Sequence, residues 1–396
     1  MSPHPYSTLT PERILDAIVG IGYACDGRLT TLNSYENRVF QVGIDDEPPL
    51  IAKFYRPDRW SYEQILEEHQ FCAELTAAEW PVVAPLALED GNSVHRDGEF
   101  VFTLFPRFGG HAPELDNLDT TELLGRALGR LHAIGAVTPF EHRPALDIQS
   151  YGIDSREFLL GADSIPDSLR EAYATLTRDL LALIEARFAS CSYTPIRIHA
   201  DCHPGNILWR DDTAVFVDFD DCRTGPAVQD LWMLLSGDRE DQTNQLEALL
   251  EGYEMFFEFD DSELVLIEPL RTLRMMHYAA WIARRWDDPA FPAAFPWFNT
   301  ERYWAEHVLE LREQFALLQE APWSGHPGTS RRCALPPIPF GQVKARLAGI
   351  HMLYFLWLFM ERGYTTDQSQ RQKLFPPSTM RSTSSKKRSW PAGSAK

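Results

Sequence analysis

The segment RIHADCHPGNILWRDDTAVFVDFDD, residues 197–221, restricts this chain more than any other stretch of it. Its apolar and polar blocks read as strand, polar loop, short apolar stretch, turn, strand and second polar loop. Two short apolar strands, at 196–199 and 214–219, deliver His199, Asp201, Asn206 and Asp218 to loops at neighbouring strand ends. Alone, Asp201 or Asn206 would suit a turn, and Asp218 a strand end. Their joint spacing, with a strand between the asparagine and the second aspartate, favours convergence of two carboxylates and an amide.

Phosphoryl transfer needs such a set. The divalent cation on nucleotide phosphates is a hard ion that prefers oxygen ligands. Asn206 and Asp218 supply an amide carbonyl and a carboxylate for Mg2+, so Asp218 counts as both metal ligand and catalytic residue. The acceptor hydroxyl must be oriented and relieved of its proton by a carboxylate, and Asp201 stands five residues before Asn206. Protein kinases use H-R-D-x-x-x-x-N and D-F-G for these parts; here the sequences are H-A-D-x-x-x-x-N and D-F-D. His199 is expected to tie the loop backbone to a neighbouring element, and His203 to pack within the loop rather than bind metal. Cys202 and Cys222 sit beside carboxylates, where acidity should raise a thiol pKa, so neither reads as a nucleophile.

An ATP enzyme also needs a cation on the phosphates and a carboxylate to hold that cation. Lys53 lies in the apolar run LIAKFY, a place where a lone lysine implies a partner. Glu67 and Glu68 on the following helix are both candidates. Neither G-x-G-x-x-G nor G-x-x-x-x-G-K-[ST] occurs. The phosphates must then be covered by another loop, LNSYENRVF at 32–40, with Ser34 and backbone N–H groups as donors; a plain hairpin turn fits those residues as well.

With 396 residues, 44% of them apolar, the chain can fill two cores. A helix capped by Thr10, strands at 38–42 and 50–55 around a DDEPP turn, a helix over 61–77 and strands at 81–88 and 100–105 make a small β-rich lobe. Helical spacing then dominates, over 122–134, 167–189, 241–257 and 263–286. The expected fold is α+β, bilobal and kinase-like: a nucleotide-binding lobe at 1–108, a larger, mainly helical catalytic lobe at 109–323, and a tail.

The tail at 324–396 holds 12 Lys/Arg against 2 Asp/Glu, leaving 25 basic and 55 acidic residues in the first 323, a balance of −30. This shift marks a boundary; the Ser/Pro/Thr-rich end reads as poorly ordered. The apolar run at 347–360 is 14 residues, short of the roughly 20 that span a bilayer. A net charge of −20 argues against nucleic-acid binding. Six cysteines without metal spacing and an N-terminus without a signal-peptide pattern suit a cytoplasmic protein, and a monomer is expected.

At this point the sequence resembles the aminoglycoside phosphotransferase and choline kinase superfamily, and within it the bacterial stress response kinase A family of serine/threonine protein kinases. The stretches that carry the resemblance include NSYENRVFQV, KFYRPDRW, QILEEHQF, HADCHPGNILWRDD, FVDFDDCRTGPAVQDLWMLLSGD and LIEPLRTLRMMHYAAW, over about residues 5–323. The resemblance implies Asp201 as proton acceptor, Asn206 and Asp218 as magnesium ligands, and Ser34 and Lys53 at the ATP site. It also implies Glu68, rather than Glu67, as the partner of Lys53, and Asp230 as a brace for the catalytic loop. Protein Ser/Thr hydroxyls are the expected acceptors; a small-molecule kinase and a non-catalytic scaffold are the alternatives. The resemblance ends near residue 323 and says nothing of the tail.

Overall fold

A computed structural model describes residues 4–323; the expectations for 324–396, including the apolar run at 347–360, lie outside the described residues. Helix α1 (Pro11–Gly20) starts where Thr10 accepts the Arg13 N–H and proline fills the first turn. A five-stranded antiparallel sheet follows, in the order β1-β2-β3-β5-β4. Its strands are β1 (Cys25–Thr31), β2 (Arg38–Ile44), β3 (Glu47–Phe54), β4 (His95–Asp97) and β5 (Phe100–Pro106). Helix α2 (Tyr62–Ala77) crosses between β3 and β4, begun by a capping box of Ser61 and Gln64.

Alternation along β3 decides what reaches the cleft. Ala52 and Phe54 are buried in the small-lobe core with Val42, Phe102 and Ile18, so Lys53, between them, points to the opposite face. The turn after β2 is only Asp45–Asp46, with Asp46 left-handed at φ 57°. Pro48 and Pro49 therefore lie within β3, outside the ladder to β5, which begins at Leu50↔Pro106.

The strand expected at 81–88 is absent. Pro81 and Pro85 interrupt any ladder, and only Val82 makes an isolated bridge, with Phe216. The segment instead links the lobes: Val83 N–H donates to the Phe216 carbonyl at 3.0 Å, and Leu86 N–H to the Leu104 carbonyl at 2.8 Å.

The larger lobe is helical: α3 (Leu118–Gly135), α4 (Asp154–Gly161), α5 (Asp167–Ser190), α6 (Val228–Trp232), α7 (Arg239–Tyr253), α8 (Ile267–Arg284), α9 (Ala290–Ala294) and α10 (Glu301–Leu317). The stretch expected as one helix over 263–286 begins as a 3-10 turn at Asp261–Leu266. Pro269 in the first turn of α8 needs no N–H partner there. Gly125 and Gly129 of α3 face the carbonyls of Leu249 and Tyr253 so closely that a Cβ would collide, and this sets α7 tight against α3. Between helices lie two ribbons, β6 (Ile196–Ile198) with β9 (Arg223–Gly225), and β7 (Ile207–Arg210) with β8 (Thr213–Phe216). Strand β8 stops before the expected end because Asp218 is left-handed, at φ 61°. No helix among the described residues is long and apolar enough to cross a membrane.

Candidate active site

Strand β6 feeds a loop whose shape is held from below. Ala200 is left-handed at φ 67°, a conformation costing about 1–2 kcal/mol for a residue with a Cβ. Asp230 of α6 offsets that cost, accepting the N–H groups of His199 at 2.8 Å and Ala200 at 2.7 Å. His132 of α3 meets the same carboxylate at 3.0 Å in a fully buried pair. His199 donates through Nε2 to the Val217 carbonyl at 3.0 Å and accepts the Asp201 N–H at 3.3 Å. It thus joins the two loops that end in Asp201 and Asp218, the tying role its sequence position suggests. His203 accepts the Gly205 N–H at 3.0 Å within the loop.

Asp201 is half-buried, and both of its oxygens are engaged. Asn206 Nδ2 donates to the Asp201 carbonyl at 3.0 Å and to Oδ2 at 3.3 Å; Arg274 Nη2 of α8 meets Oδ1 at 2.6 Å. Burial pushes this carboxyl up, but Arg274, then His203, pull it below the usual carboxylate range. Cys202 and Cys222 are fully buried, and burial more than neighbouring acidity raises them, Cys222 to about 12.

Lys53 is buried, with Nζ 3.3 Å from Glu68 Oε1, 3.3 Å from Asp218 Oδ1 and 3.0 Å from Asp220 Oδ1. Burial works against its charge, but Asp220 and Glu68 outweigh it and raise the pKa well above that of a free lysine. Glu68 is fixed from behind by Arg143 at 2.9 Å. Glu67 points elsewhere, accepting the backbone N–H groups of Glu141 at 2.6 Å and Arg143 at 2.7 Å. Asp218 is the outlier of the group, with a side chain 52% exposed.

The β1–β2 loop is fastened across the cleft. Glu36 accepts the Trp281 indole N–H and meets Arg285 at 2.6 Å, both on or just past α8. Behind it, Arg38 and Arg56 hold Asp288 at 2.9 and 3.0 Å. Ser34, Lys53, Asp201, Asn206 and Asp218 all line one cavity of ≈ 480 Å³, whereas Glu68 stands behind Lys53. One wall is apolar, with Leu32, Val39, Ile51, Val83 and Leu208, as a purine base requires. A second wall comes from α8 and Tyr151.

Among the described residues, no group of three or more His, Cys, Asp or Glu could hold a metal alone. A cation that arrives on nucleotide phosphates does not need one, since it takes one or two protein ligands and keeps phosphate and water oxygens. Asn206 and Asp218 fit that need: the Asn206 amide nitrogen is spent on Asp201, leaving its carbonyl oxygen, and the Asp218 carboxylate is exposed to the cavity.

Residues 28–264 match the phosphotransferase enzyme family APH. Over 321 residues the chain is 47% identical to stress response kinase A of Escherichia coli, covering 81% of this chain and 97% of that protein. This chain belongs to the stress response kinase A family of phosphotransferases. It is an ATP-dependent kinase. Another relative, from Salmonella typhimurium, is the serine/threonine protein kinase RdoA, 46% identical over 317 residues and covering 80% of this chain and 96% of its own. Among solved structures, amicoumacin kinase hAmiN in complex with AMP-PNP, Ca2+ and Ami superimposes with a TM-score of 0.59 at 19% identity, covering 76% of this chain and 93% of that one. The microcompartment-associated aminopropanol kinase gives 0.59 at 19%, covering 78% and 97%. At such identity these two share the fold, and they make it bilobal and α+β.

This member of the stress response kinase A family also places five charged side chains and an indole in the cleft that sequence reasoning missed. Asp220, Asp221, Arg59, Arg274, Glu36 and Trp281 all line the cavity. The available signal was the carboxylate at the third position of D-F-D, where protein kinases carry glycine, and the arginines of RPDRW and LRTLRMM.

Proposed function

We propose that this enzyme is a Mg2+- and ATP-dependent serine/threonine protein kinase of the bacterial stress response, acting in the cytoplasm as a monomer. Residues 1–108 would form the nucleotide-binding lobe and 109–323 the catalytic lobe. The observation that carries the reading is the meeting of Lys53, Asp201, Asn206 and Asp218 in one cavity, in a chain whose relatives at 46–47% identity include a named serine/threonine protein kinase. None of the five described cysteines is in a disulfide, which suits a reducing compartment.

In this reading Asp201 orients the acceptor hydroxyl and takes its proton as the Oγ–P bond forms and the γ-phosphorus parts from the bridging oxygen, which leaves with ADP. Asn206 and Asp218 would hold the metal, which when bound would supply neutralisation of charge on the transferring phosphate. Lys53, kept in place by Glu68 and Asp220, binds nucleotide phosphate, and Ser34 with the β1–β2 loop covers it. The base need not be strong, because most of the barrier is lowered by positioning and electrostatics.

A small-molecule kinase is the second reading, favoured by the size of the cavity, ≈ 480 Å³, which is in the range of ligand pockets. The deciding experiment supplies labelled ATP and Mg2+ with a mixture of dephosphorylated proteins, and separately with choline, homoserine and kanamycin. Phosphoserine or phosphothreonine in acid hydrolysates supports the protein kinase. Rapid turnover of one small alcohol with no phosphoprotein supports the alternative.

A further inference from the structure

Five carboxylates line the cavity, and each already meets a cation. Asp201 meets Arg274 at 2.6 Å. Asp221 meets Arg59 at 2.8 Å and Arg223 at 3.0 Å. Asp220 meets Arg59 and Lys53, and Glu36 meets Arg285 at 2.6 Å. Asp218, paired with Lys53 at 3.3 Å, is the exposed one and the one assigned to metal. A pocket that recognises a cationic acceptor needs carboxylates to offer it, because a desolvated ammonium without one is costly. Here those carboxylates are committed to arginines and to Lys53 of the protein.

The second wall adds no negative charge. Tyr151 and His277 stack with centroids 4.3 Å apart, and Tyr278 stacks on Trp281 at 5.7 Å. Burial, with Arg223 beside it, lowers His277 to about 3, so its ring is neutral at physiological pH. The −30 balance of the first 323 residues does not reverse this, since exposed charges are screened beyond about 10 Å in 0.1 M salt. Arg274 acts at contact with the carboxylate that faces the acceptor.

We propose that Arg274 is a specificity-determining residue: by occupying Oδ1 of Asp201 it makes the cleft select hydroxyls flanked by neutral or acidic groups and reject cationic acceptors. This rests on the reading above in which Asp201 receives the acceptor proton. An ammonium or guanidinium beside the reacting hydroxyl would be set against Arg274 in a partly buried site, where like charges repel strongly.

The test uses the full chain, ATP and Mg2+ with three peptides of equal length, each carrying one serine flanked by alanine, by glutamate or by arginine. N-acetylserinamide, choline and kanamycin form a second set. The expected kcat/KM for the arginine peptide is at least about tenfold below that for the alanine peptide. Arg274→Ala lowers kcat for every peptide, because Asp201 loses a partner, but it also shrinks the ratio between alanine and arginine peptides; Arg274→Lys keeps the ratio. A purely structural role would lower all rates and leave the ratio unchanged, which would overturn the proposal. So would wild-type transfer to the arginine peptide as fast as to the alanine one. If no peptide accepts phosphate while N-acetylserinamide does and the two cations do not, the protein-kinase reading fails and the charge rule stands. Rapid turnover of kanamycin or choline would overturn the rule.

Discussion

Lys53 Nζ lies 3.0 Å from Asp220 Oδ1, nearer than to Glu68 or Asp218. Asp220 is buried and also holds Arg59. It therefore bridges the lysine of the small lobe and an arginine from the turn after β3. Burial pushes the Asp220 carboxyl up, but Arg59 and then Lys53 bring it down to about 2. Its negative charge is what keeps two buried cations compatible with the fold.

Asp220→Asn removes that charge at constant volume, and Lys53 and Arg59 are then left under-compensated. Breaking a buried pair from one side costs about 3–5 kcal/mol. Urea unfolding followed by tryptophan fluorescence should show a loss of this size. A loss below about 1 kcal/mol, the range of exposed pairs, would mean that Glu68 and Asp221 suffice without it.

Asp230 supports a strained turn rather than the reaction itself. It accepts two backbone N–H groups and the His132 ring. Asp230→Ala leaves those donors buried without acceptors, each worth about 1–3 kcal/mol. The expected result is a large drop in thermal midpoint, together with reduced transfer because Ala200 and Asp201 lose their geometry. Wild-type stability in this variant would remove Asp230 from the bracing role.

Glu263 connects pH to the same region. It accepts the Val228 N–H at the start of α6, the helix that carries Asp230, at 2.9 Å. Burial raises its pKa to about 7, against a pull downward from that N–H. A carboxyl raised on folding contributes stability that is fully present below its unfolded pKa of 4.5 and is lost as pH rises through about 7. The window is worth roughly 3 kcal/mol at about 1.4 kcal/mol per pH unit. Glu263→Gln keeps an acceptor for Val228 and should flatten the fall in urea stability between about pH 5 and about pH 8. An unchanged slope would mean that Glu263 is already ionised in the folded protein.

How much of this was legible in sequence depended on whether the signal was local. The cap at Thr10 and the lone lysine in LIAKFY are short-range patterns, and the structure has them where the residues point. Strand β1, CDGRLTT, escaped notice because it is a polar edge strand, mostly exposed, with no alternation to read. Residues 81–88 are apolar for a different reason: they bridge the lobes without joining a ladder. The pairs Arg274–Asp201, Arg285–Glu36 and Arg59–Asp220 join residues 73 to 249 positions apart, and nothing in the local sequence chooses among so many arginines. Glu68 over Glu67 rested on family resemblance; in the fold the choice follows from which face of α2 turns toward β3.

If Asp201 is the base, removing its charge must slow transfer while Lys53 and the proposed metal ligands still hold the nucleotide. Asp201→Asn, compared with the wild type in labelled-phosphate transfer and in ATP binding with Mg2+, tests it most directly, with Asp218→Asn as the contrasting variant. Transfer is expected to fall about 10²- to 10⁴-fold in Asp201→Asn with ATP affinity nearly unchanged, and Asp218→Asn to lose the Mg2+-dependent part of ATP affinity. Near wild-type transfer by Asp201→Asn would contradict it.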